Sequence, residues 1–279
     1  MKNAKLQARL LRFFVYTGAL FTLTVLCVIV GYILINGVPH ITPSLFAWVY
    51  TSDNVSLTPA FINTLLMTAL SLLIAIPLGV CAAIYLGEYA RRGSKLVKLV
   101  RLTAETLSGI PSIIYGLFGA LFFVVALKMG LSLLSGALTL SIMILPLIMR
   151  TTEEALLAVP DMYREGSFGL GAGRLRTTFQ IVLPAAMPGI LAGVILGIGR
   201  IVGETAALIY TAGTVAEIPA SILDSTRTLS VHMYTLASEG LHIDQTYATA
   251  VILLLLVAGI NALSSFTAKR ITRRKHGEI

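Results

Sequence analysis

The most constraining feature of this chain is a series of apolar stretches, each about 20 residues long. An α-helix rises about 1.5 Å per residue, so a stretch of that length spans the roughly 30 Å hydrocarbon core of a bilayer. Six stretches are predicted to be transmembrane helices: 13–35, 64–86, 107–127, 131–149, 190–212 and 247–267. The sequence therefore predicts an all-α membrane protein with one transmembrane domain over 1–279.

Composition excludes a water-soluble domain. Hydrophobic residues make up 56% of the 279 positions and charged residues only 12%, against about 25% charged residues in a typical soluble domain. The first apolar stretch is too long for the core of a signal peptide, and no small-residue cleavage pattern follows it. We therefore expect it to be retained as a helix.

The basic residues predict an orientation in the membrane. Eighteen of the 21 Lys and Arg residues fall on one side of the predicted helices: Lys2, Lys5, Arg9, Arg12, Arg91, Arg92, Lys95, Lys98, Arg101, Arg150, Arg164, Arg174, Arg176, Lys269, Arg270, Arg273, Arg274 and Lys275. Cytoplasmic segments carry such an excess. The bias therefore predicts cytoplasmic segments at 1–12, 150–187 and 268–279, and a periplasmic segment at 213–246. The net charge of +8 is thus a topology signal, and we expect no nucleic acid as a partner.

The segment 150–187 has the pattern of a compact cytoplasmic knob. Asp161, after a proline, is predicted to cap a short helix that ends near Gly171. A turn and a second helix from about Arg174 to Leu183 should follow, ended by Pro184. Such a knob would dock into a groove of a partner; the alternative is an ordinary amphipathic connection.

This segment resembles the EAA loop of ABC-importer permeases. In that loop a Glu-Ala-Ala triplet precedes a glycine by four residues, and an Ile-x-Leu-Pro element ends the motif, here with nine residues between the glycine and the isoleucine. The matching residues here are Glu165, Gly166, Ser167, Gly171, Ile181, Leu183 and Pro184. The resemblance implies the type I importer permease fold and a coupling helix that sits in a cleft of a separate ATPase. This chain has no phosphate-binding loop of the Walker A type.

A cationic residue lies inside the fifth apolar stretch. Arg200 is about eleven residues, or roughly 16 Å, past the start of that helix, which is close to the bilayer midplane. In one interpretation Glu204, four residues on, neutralises it as a structural pair. In the other, which we favour, Arg200 with Glu204 and Thr205 lines a path for an anion, because guanidinium binds tetrahedral oxyanions through a fork of hydrogen bonds.

The third stretch contains a predicted break. Proline removes a backbone donor and glycine loosens the helix over residues 108–112, which we expect near the cytoplasmic entrance. Freed backbone N–H groups, Ser108 and Ser112 could then meet an anion. A packing kink is the alternative.

Three runs, 108–119, 150–160 and 199–213, resemble the A-type permeases of bacterial phosphate-specific ABC importers, the PstA family. The resemblance implies a heterodimer with a homologous C-type permease (PstC-like), a dimeric ATPase (PstB-like) and a periplasmic phosphate-binding protein (PstS-like) in the bacterial inner membrane. It also assigns the intramembrane arginine of that family to Arg200. Arg150 is either a second functional cation or a cytoplasmic anchor.

No other constellation of residues predicts chemistry. The four histidines have no ligand spacing and are expected at the surface, Cys27 and Cys81 lie in apolar runs, and no nucleophile–base set is present, so we expect neither an enzyme nor a cofactor or metal site. The run 225–228 either contacts a binding protein or is a connecting loop without a specific role. A permease for sulfate or molybdate and, further away, a secondary transporter remain alternatives.

Overall fold

The computed structural model describes the backbone of residues 2–91 and 93–276 and the side chains of residues 10–91 and 93–266. In this part of the chain the fold is helical. The helices are α1 Lys2–Gly37, α2 Thr58–Ile84, α3 Lys95–Ser108, α4 Ser112–Gly119, α5 Leu133–Leu157, α6 Asp161–Gly169, α7 Arg174–Thr177, α8 Leu183–Val202, α9 Ala206–Thr211, α10 Leu229–Glu239 and α11 Ile243–His276. Three π-helical turns, Tyr85–Tyr89, Ala120–Ala126 and Thr178–Val182, extend α2 and α4 and join α7 to α8.

Five of the described helical segments are long and apolar enough to cross a bilayer. The described residues form up to six spans if α3 and α4 count as one, although their axes differ by 100° at a short break. The expected all-helical membrane architecture is therefore confirmed.

Helix α5 is the centre of the bundle. In its most apolar part 67% of the residues are buried. Helix α2 lies alongside it in the same direction, since Ser141 Oγ donates a hydrogen bond to the Ser71 carbonyl at 3.0 Å and Gly79 packs on Ile148 further along both helices. The core between them contains Met67, Ala75, Leu140, Ile144 and Ile148.

Helix α8 packs antiparallel to α5 through a stripe of glycines. The close contacts pair Gly189 with Ala155, Gly193 with Thr151 and Gly197 with Ile148. Glycines four residues apart lie on one helix face and let two backbones approach closely, which is how helices associate in membranes. This stripe fixes the register of α8 and therefore the depth of the residues that follow it.

Two predicted helices are interrupted. The stretch predicted as 107–127 is divided by residues 109–111 into α3 and α4. The prediction of one helix over 190–212 is wrong, because α8 ends at Val202 and α9 starts at Ala206. Gly203 follows the last turn of α8, and its low helix propensity favours an ending there.

Other predicted boundaries also differ. Pro184 does not end a helix: residues 174–202 form one helical span, in which Pro184 lies in the first turn of α8 after a π-helical turn. A first-turn proline needs no backbone donor, so the helix continues. Helix α5 runs to Leu157 rather than to 149, so Arg150 lies inside it. The predicted outer segment 213–246 contains α10, whose first residues are buried.

Helix α1 lies at the edge of the bundle. None of its most apolar part is buried, and it touches α11 where Gly37 meets Tyr247 and Val251. The side chains of the basic residues Lys2, Lys5, Arg9, Arg92, Lys269, Arg270, Arg273, Arg274 and Lys275 lie outside the described residues.

Candidate functional site

The break in the third span holds the two predicted serines at different helix ends. Ser108 is the last residue of α3, and its Oγ donates to the Glu105 carbonyl at 2.8 Å. Ser112 is the first residue of α4 and is half-buried. A hydrogen bond from Tyr115 crosses the break: its hydroxyl donates to the Leu107 carbonyl at 2.8 Å. A bend of this kind is tolerated at membrane depth where protein or a polar cavity satisfies the backbone.

Glu204 lies in the break between α8 and α9, not on the same helix as Arg200 as the sequence predicted. Glu204 is 8% exposed, and its Oε1 accepts from the Ala207 backbone N–H at 3.0 Å, so it caps α9. Because α8 has ended by then, Glu204 is not one helical turn above Arg200. Among the described residues no carboxylate lies within 4.0 Å of the Arg200 guanidinium, so the alternative interpretation of a structural Arg200–Glu204 ion pair is not observed.

The two breaks lie side by side. A Cβ atom added to Gly116 would be 2.7 Å from Ala207 Cα, and Gly119 faces Thr211 in the same way. Residue numbers rise in the same direction along both helices, so α4 and α9 run parallel and start at a similar depth. The start of α4 at Ser112 and the start of α9 after Thr205 therefore present their backbone N–H groups at one level.

Arg200 lies close to this level. Extending the α5–α8 register by one turn beyond Gly197 places Arg200 level with Ile144, near the middle of α5. Arg200 is half-buried, and its charge acts on the Tyr115 hydroxyl. Helix α4 runs with its π-helical extension only as far as Ala126, about 20 Å, toward the start of α5. The break before α4 is therefore about 20 Å of helix away from the end of the bundle at which α5 starts; its position at the cytoplasmic entrance stays a prediction.

This arrangement suits transient contact with an anion. A guanidinium that has no carboxylate partner keeps its hydrogen-bond donors available. The start of α4 at a similar level adds backbone N–H groups and the positive end of a helix dipole, whereas the start of α9 is already capped by Glu204. Charged residues at such depth are costly in a membrane protein and generally mark substrate or ion pathways.

The predicted coupling segment folds as a short helix followed by a glycine turn. Helix α6 spans Asp161–Gly169, and Gly171 has φ +85°, a left-handed conformation that favours glycine. Ser167 is buried, and its hydroxyl lies 2.8 Å from that of Thr177 on α7. Glu165 and Gly166 face outward, so of the Glu-Gly-Ser triplet only the serine packs inside. Ile181 is half-buried in the π-helical turn, and Leu183 and Pro184 begin α8.

A buried ion pair attaches α6 to the bundle. Arg164 Nη2 lies 2.6 Å from Glu88 Oε1, with side-chain exposures of 14% and 8%. Arg164 also donates to the carbonyls of Val159 at 2.7 Å and Leu156 at 2.9 Å. The hydrogen bonds to Glu88 raise the pKa of Arg164. Sequence analysis treated Arg164 only as a basic residue, because its partner is 76 positions away.

The outward side of the coupling segment is apolar. Leu170 is 91% exposed, and Met162 and Tyr163 are also largely exposed. A cleft of about 670 Å³ lies beside this segment and is lined by charges of both signs, including Glu88, Arg91 and Glu165. An exposed apolar knob beside a mixed-charge cleft is typical of a protein-docking surface rather than of a small-anion site.

A second set of ion pairs, also missed from sequence, joins α3 to α5. Arg101 donates to Glu153 at 2.6 Å, and Glu153 is buried. Arg150 pairs with Glu154 at 3.0 Å and with Glu105 at 3.5 Å. Arg150 is thus held by carboxylates, unlike Arg200. The alternation of Arg and Glu on α3 and α5 was the only available signal, and it did not specify the partners.

The segment 225–228 is buried, so it offers no free surface for a binding protein. Thr226, Arg227 and Thr228 are at most 5% exposed. His232 is fully buried, so the expectation of a surface histidine is wrong for this position. Polar composition gave no indication that this segment folds back into the bundle.

The chain is similar in sequence to known membrane transport proteins. Residues 75–277 match the family described as binding-protein-dependent transport system inner membrane component. The phosphate transport system permease protein PstA of Pasteurella multocida is 37% identical over 210 residues, 75% of this chain and 74% of that protein. The probable ABC transporter permease protein YqgI of Bacillus subtilis is 33% identical over 229 residues, 76% of each chain. PstA 1 of Mycobacterium tuberculosis H37Rv is 33% identical over 219 residues, 77% of this chain and 70% of that protein.

Solved structures share the fold at lower identity. A bacterial alginate ABC transporter, in complex with a periplasmic protein that binds an alginate pentasaccharide, has a chain with TM-score 0.67 and 17% identity, covering 94% of this chain and 96% of that one. The MetNI methionine ABC transporter in inward-facing conformations gives 0.59 and 21%, covering 76% and 93%. The chain therefore belongs to the inner-membrane permeases of binding-protein-dependent transport systems, and it has the type I ABC-importer permease fold that its sequence predicted.

Proposed function

We propose that this permease carries inorganic phosphate into the bacterial cytoplasm. The observation that carries the proposal is Arg200, a half-buried guanidinium near mid-depth that has no carboxylate within 4.0 Å among the described residues. It lies near the starts of α4 and α9, where backbone N–H groups are concentrated. Phosphate offers the tetrahedral oxygens that an arginine fork binds. The relatives named as phosphate permeases, at 33–37% identity, support phosphate over other oxyanions.

Glu204, Thr205, Ser108 and Ser112 have supporting roles in this proposal. Glu204 caps α9 and so fixes where its first N–H groups point. Thr205 precedes that helix, and Ser112 begins α4. Ser108 bonds to its own helix and would meet the ion only if the break opens.

The coupling segment transmits work from a separate ATPase. The exposed apolar side chains of α6 and its turn dock on that partner, and the Arg164–Glu88 pair carries the movement to α2. ATP binding closes the ATPase dimer and moves α6, and the bundle then opens toward a periplasmic phosphate-binding protein. A homologous C-type permease completes the pore. Both termini and α6 lie in the cytoplasm, as the distribution of basic residues indicates.

The function is tested by uptake of radiolabelled phosphate and sulfate into a strain that lacks this permease. Restored phosphate uptake on return of the gene is expected. Sulfate uptake that is restored in its place would contradict the assignment of the ion, and transport without an ATPase partner would contradict the mechanism.

Arg200→Gln should lower phosphate uptake by about tenfold or more, because a charge-assisted fork of hydrogen bonds is lost. Copurification of the permease complex should be unchanged. Lys128→Gln is the matched control, since it removes an exposed cation from the turn before α5. Normal uptake by Arg200→Gln would remove Arg200 from the pathway.

A further inference from the structure

A second arginine is buried without a counter-ion at the other end of the bundle. Arg227 is 5% exposed, and its Nε and Nη2 atoms are buried without a hydrogen-bond partner among the described residues. Arg227 lies near the start of α5. The backbone N–H of Leu133, the first residue of α5, donates a hydrogen bond to the carbonyl of Asp224, three residues before Arg227, at 2.9 Å. The coupling segment follows the opposite end of α5. Arg227 and α6 are therefore separated by about 37 Å of helix.

The surroundings of Arg227 do not neutralise it. Its guanidinium lies 4.6 Å from the centroid of the Tyr50 ring, and no carboxylate lies within 4.0 Å of it among the described residues. Burial and the Arg227 charge lower the pKa of His232 to about 3, so this neighbour is neutral at physiological pH. Both His232 nitrogens and Thr226 Oγ1 also lack partners within the described part of the chain, although the Val55 backbone lies beside the histidine ring.

Such a cluster is costly unless something binds there. Buried polar groups are nearly always hydrogen-bonded, and a buried charge needs a partner. Nε and Nη2 form one edge of the guanidinium, the edge that binds two oxygens of a single oxyanion.

The cluster is directly linked to the helix break described above. Ser230 Oγ donates to the Glu204 carbonyl at 2.6 Å, and the Leu229 N–H donates to Thr64 Oγ1 at 2.8 Å. Asn63 Nδ2 donates to the Arg227 carbonyl at 3.2 Å and so fixes the arginine backbone. Ser230 thus lies against Glu204, and the backbone of Arg227 and Leu229 lies against α2.

Tyr50 is the cover of this cluster. It belongs to the connection between α1 and α2, is half-buried, and contacts both Arg227 and His232. Withdrawal of one aromatic ring would open the face of the guanidinium.

We propose that Arg227 is the cation of a second oxyanion site, which Tyr50 covers and through which the ion passes before it reaches Arg200. The identity of the ion as phosphate rests on the proposed function. The site itself rests on the unpartnered, buried guanidinium and on the Ser230–Glu204 hydrogen bond that joins its segment to the break. Two cationic contacts in series would let an ion advance without being held at either one.

The test measures charge-selective labelling of an engineered thiol at the cover. Tyr50→Cys is placed in the full chain with Cys27 and Cys81 replaced by serine, in membrane vesicles that contain the assembled complex. An anionic thiosulfonate reagent should react roughly tenfold faster than a cationic one of similar size, because Arg227 attracts it. Inorganic phosphate at millimolar concentration should slow the anionic reagent.

Three comparisons make the result specific. Trp48→Cys, an exposed position two residues away, should show neither the charge preference nor phosphate protection. Adding Arg227→Gln to Tyr50→Cys should abolish both, whereas Arg227→Lys should keep the charge preference and weaken the protection, since lysine lacks the fork. Equal rates for the two reagents at Tyr50→Cys, or protection that persists with Arg227→Gln, would overturn the site.

Uptake by the parent chain is measured separately. Phosphate protection at Tyr50→Cys together with absent phosphate uptake would overturn the proposed function and leave the oxyanion site in place. Phosphate uptake without protection would overturn the site and leave the function.

Discussion

Three arginines of this chain occupy different electrostatic environments that their sequence contexts do not distinguish. Arg164 is nearly buried and bonded to Glu88. Arg200 is half-buried near mid-depth and has no carboxylate within 4.0 Å in the described structure. Arg227 is buried under a tyrosine ring. Arg164 thus has its counter-ion within the chain, and the other two are the arginines for which we propose an oxyanion as partner.

His232 should make the outer end of the bundle sensitive to acid. Its pKa is lowered to about 3 in the folded chain, first by burial and then by Arg227, against about 6.5 when unfolded. Between these values the unfolded chain binds more protons, so stability rises with pH and is complete above about 6.5. As the pH falls through this range, the loss approaches about 1.4 kcal/mol per pH unit.

His232→Phe keeps a ring beside Tyr50 and should remove this part of the acid dependence. The measurement is the apparent melting temperature of the purified complex from pH 7.5 to 4.5. His242→Phe removes another histidine of the same segment and should leave the dependence unchanged. An unaltered slope in His232→Phe would contradict the assignment.

At the scale of elements, the glycine stripe of α8 determines where Arg200 lies. Gly193 packs so closely on Thr151 that an added Cβ would require a shift, whereas nothing lies within 4 Å of such an atom at Gly199. The stripe therefore holds α8 in one register on α5, and the break at Gly203 follows at a fixed height.

Gly193→Ala should destabilise the chain by about 1–3 kcal/mol through overpacking. Gly199→Ala is the matched control on the same helix and should be neutral or slightly stabilising, because alanine favours helix. Thermal unfolding of the purified complex distinguishes them. Equal melting temperatures for the two variants would show that the α5–α8 contact tolerates separation.

The sequence predicts features that depend only on the residues of one helix, such as its length and hydrophobicity. The apolar runs gave the spans, because length alone decides whether a helix can cross a bilayer. Sequence reasoning failed at the break after Val202, where a Gly-Glu-Thr sequence in an apolar run reads as part of the helix. It also failed at Arg164 and His232, whose environments depend on Glu88, Tyr50 and Arg227, contacts between segments that no local pattern encodes.

At the scale of the whole molecule, the Arg164–Glu88 pair is the ion pair that connects α6 to the end of α2. Helix α6 touches the bundle through this pair and through Ser167 against Thr177. Loss of the pair should therefore separate ATP hydrolysis from transport while the pore itself stays intact.

Glu88→Gln should cost about 3 kcal/mol, the lower end for a broken buried pair, because Arg164 keeps its bonds to two backbone carbonyls. ATP turnover by the complex should continue while phosphate uptake falls. Glu154→Gln, at the exposed Arg150 pair, should have little effect. Tight coupling in Glu88→Gln would show that α6 transmits movement by another contact.

The 91% exposure of Leu170 has a consequence for the life of the chain in the cell. In a copy that is not bound to an ATPase, the Leu170 side chain is exposed to water. Exposed apolar surface of this kind is recognised by chaperones and proteases. Synthesis in excess of the partner would then yield turnover instead of accumulation. We therefore expect the amount of permease at the membrane to follow the supply of the proposed ATPase subunit.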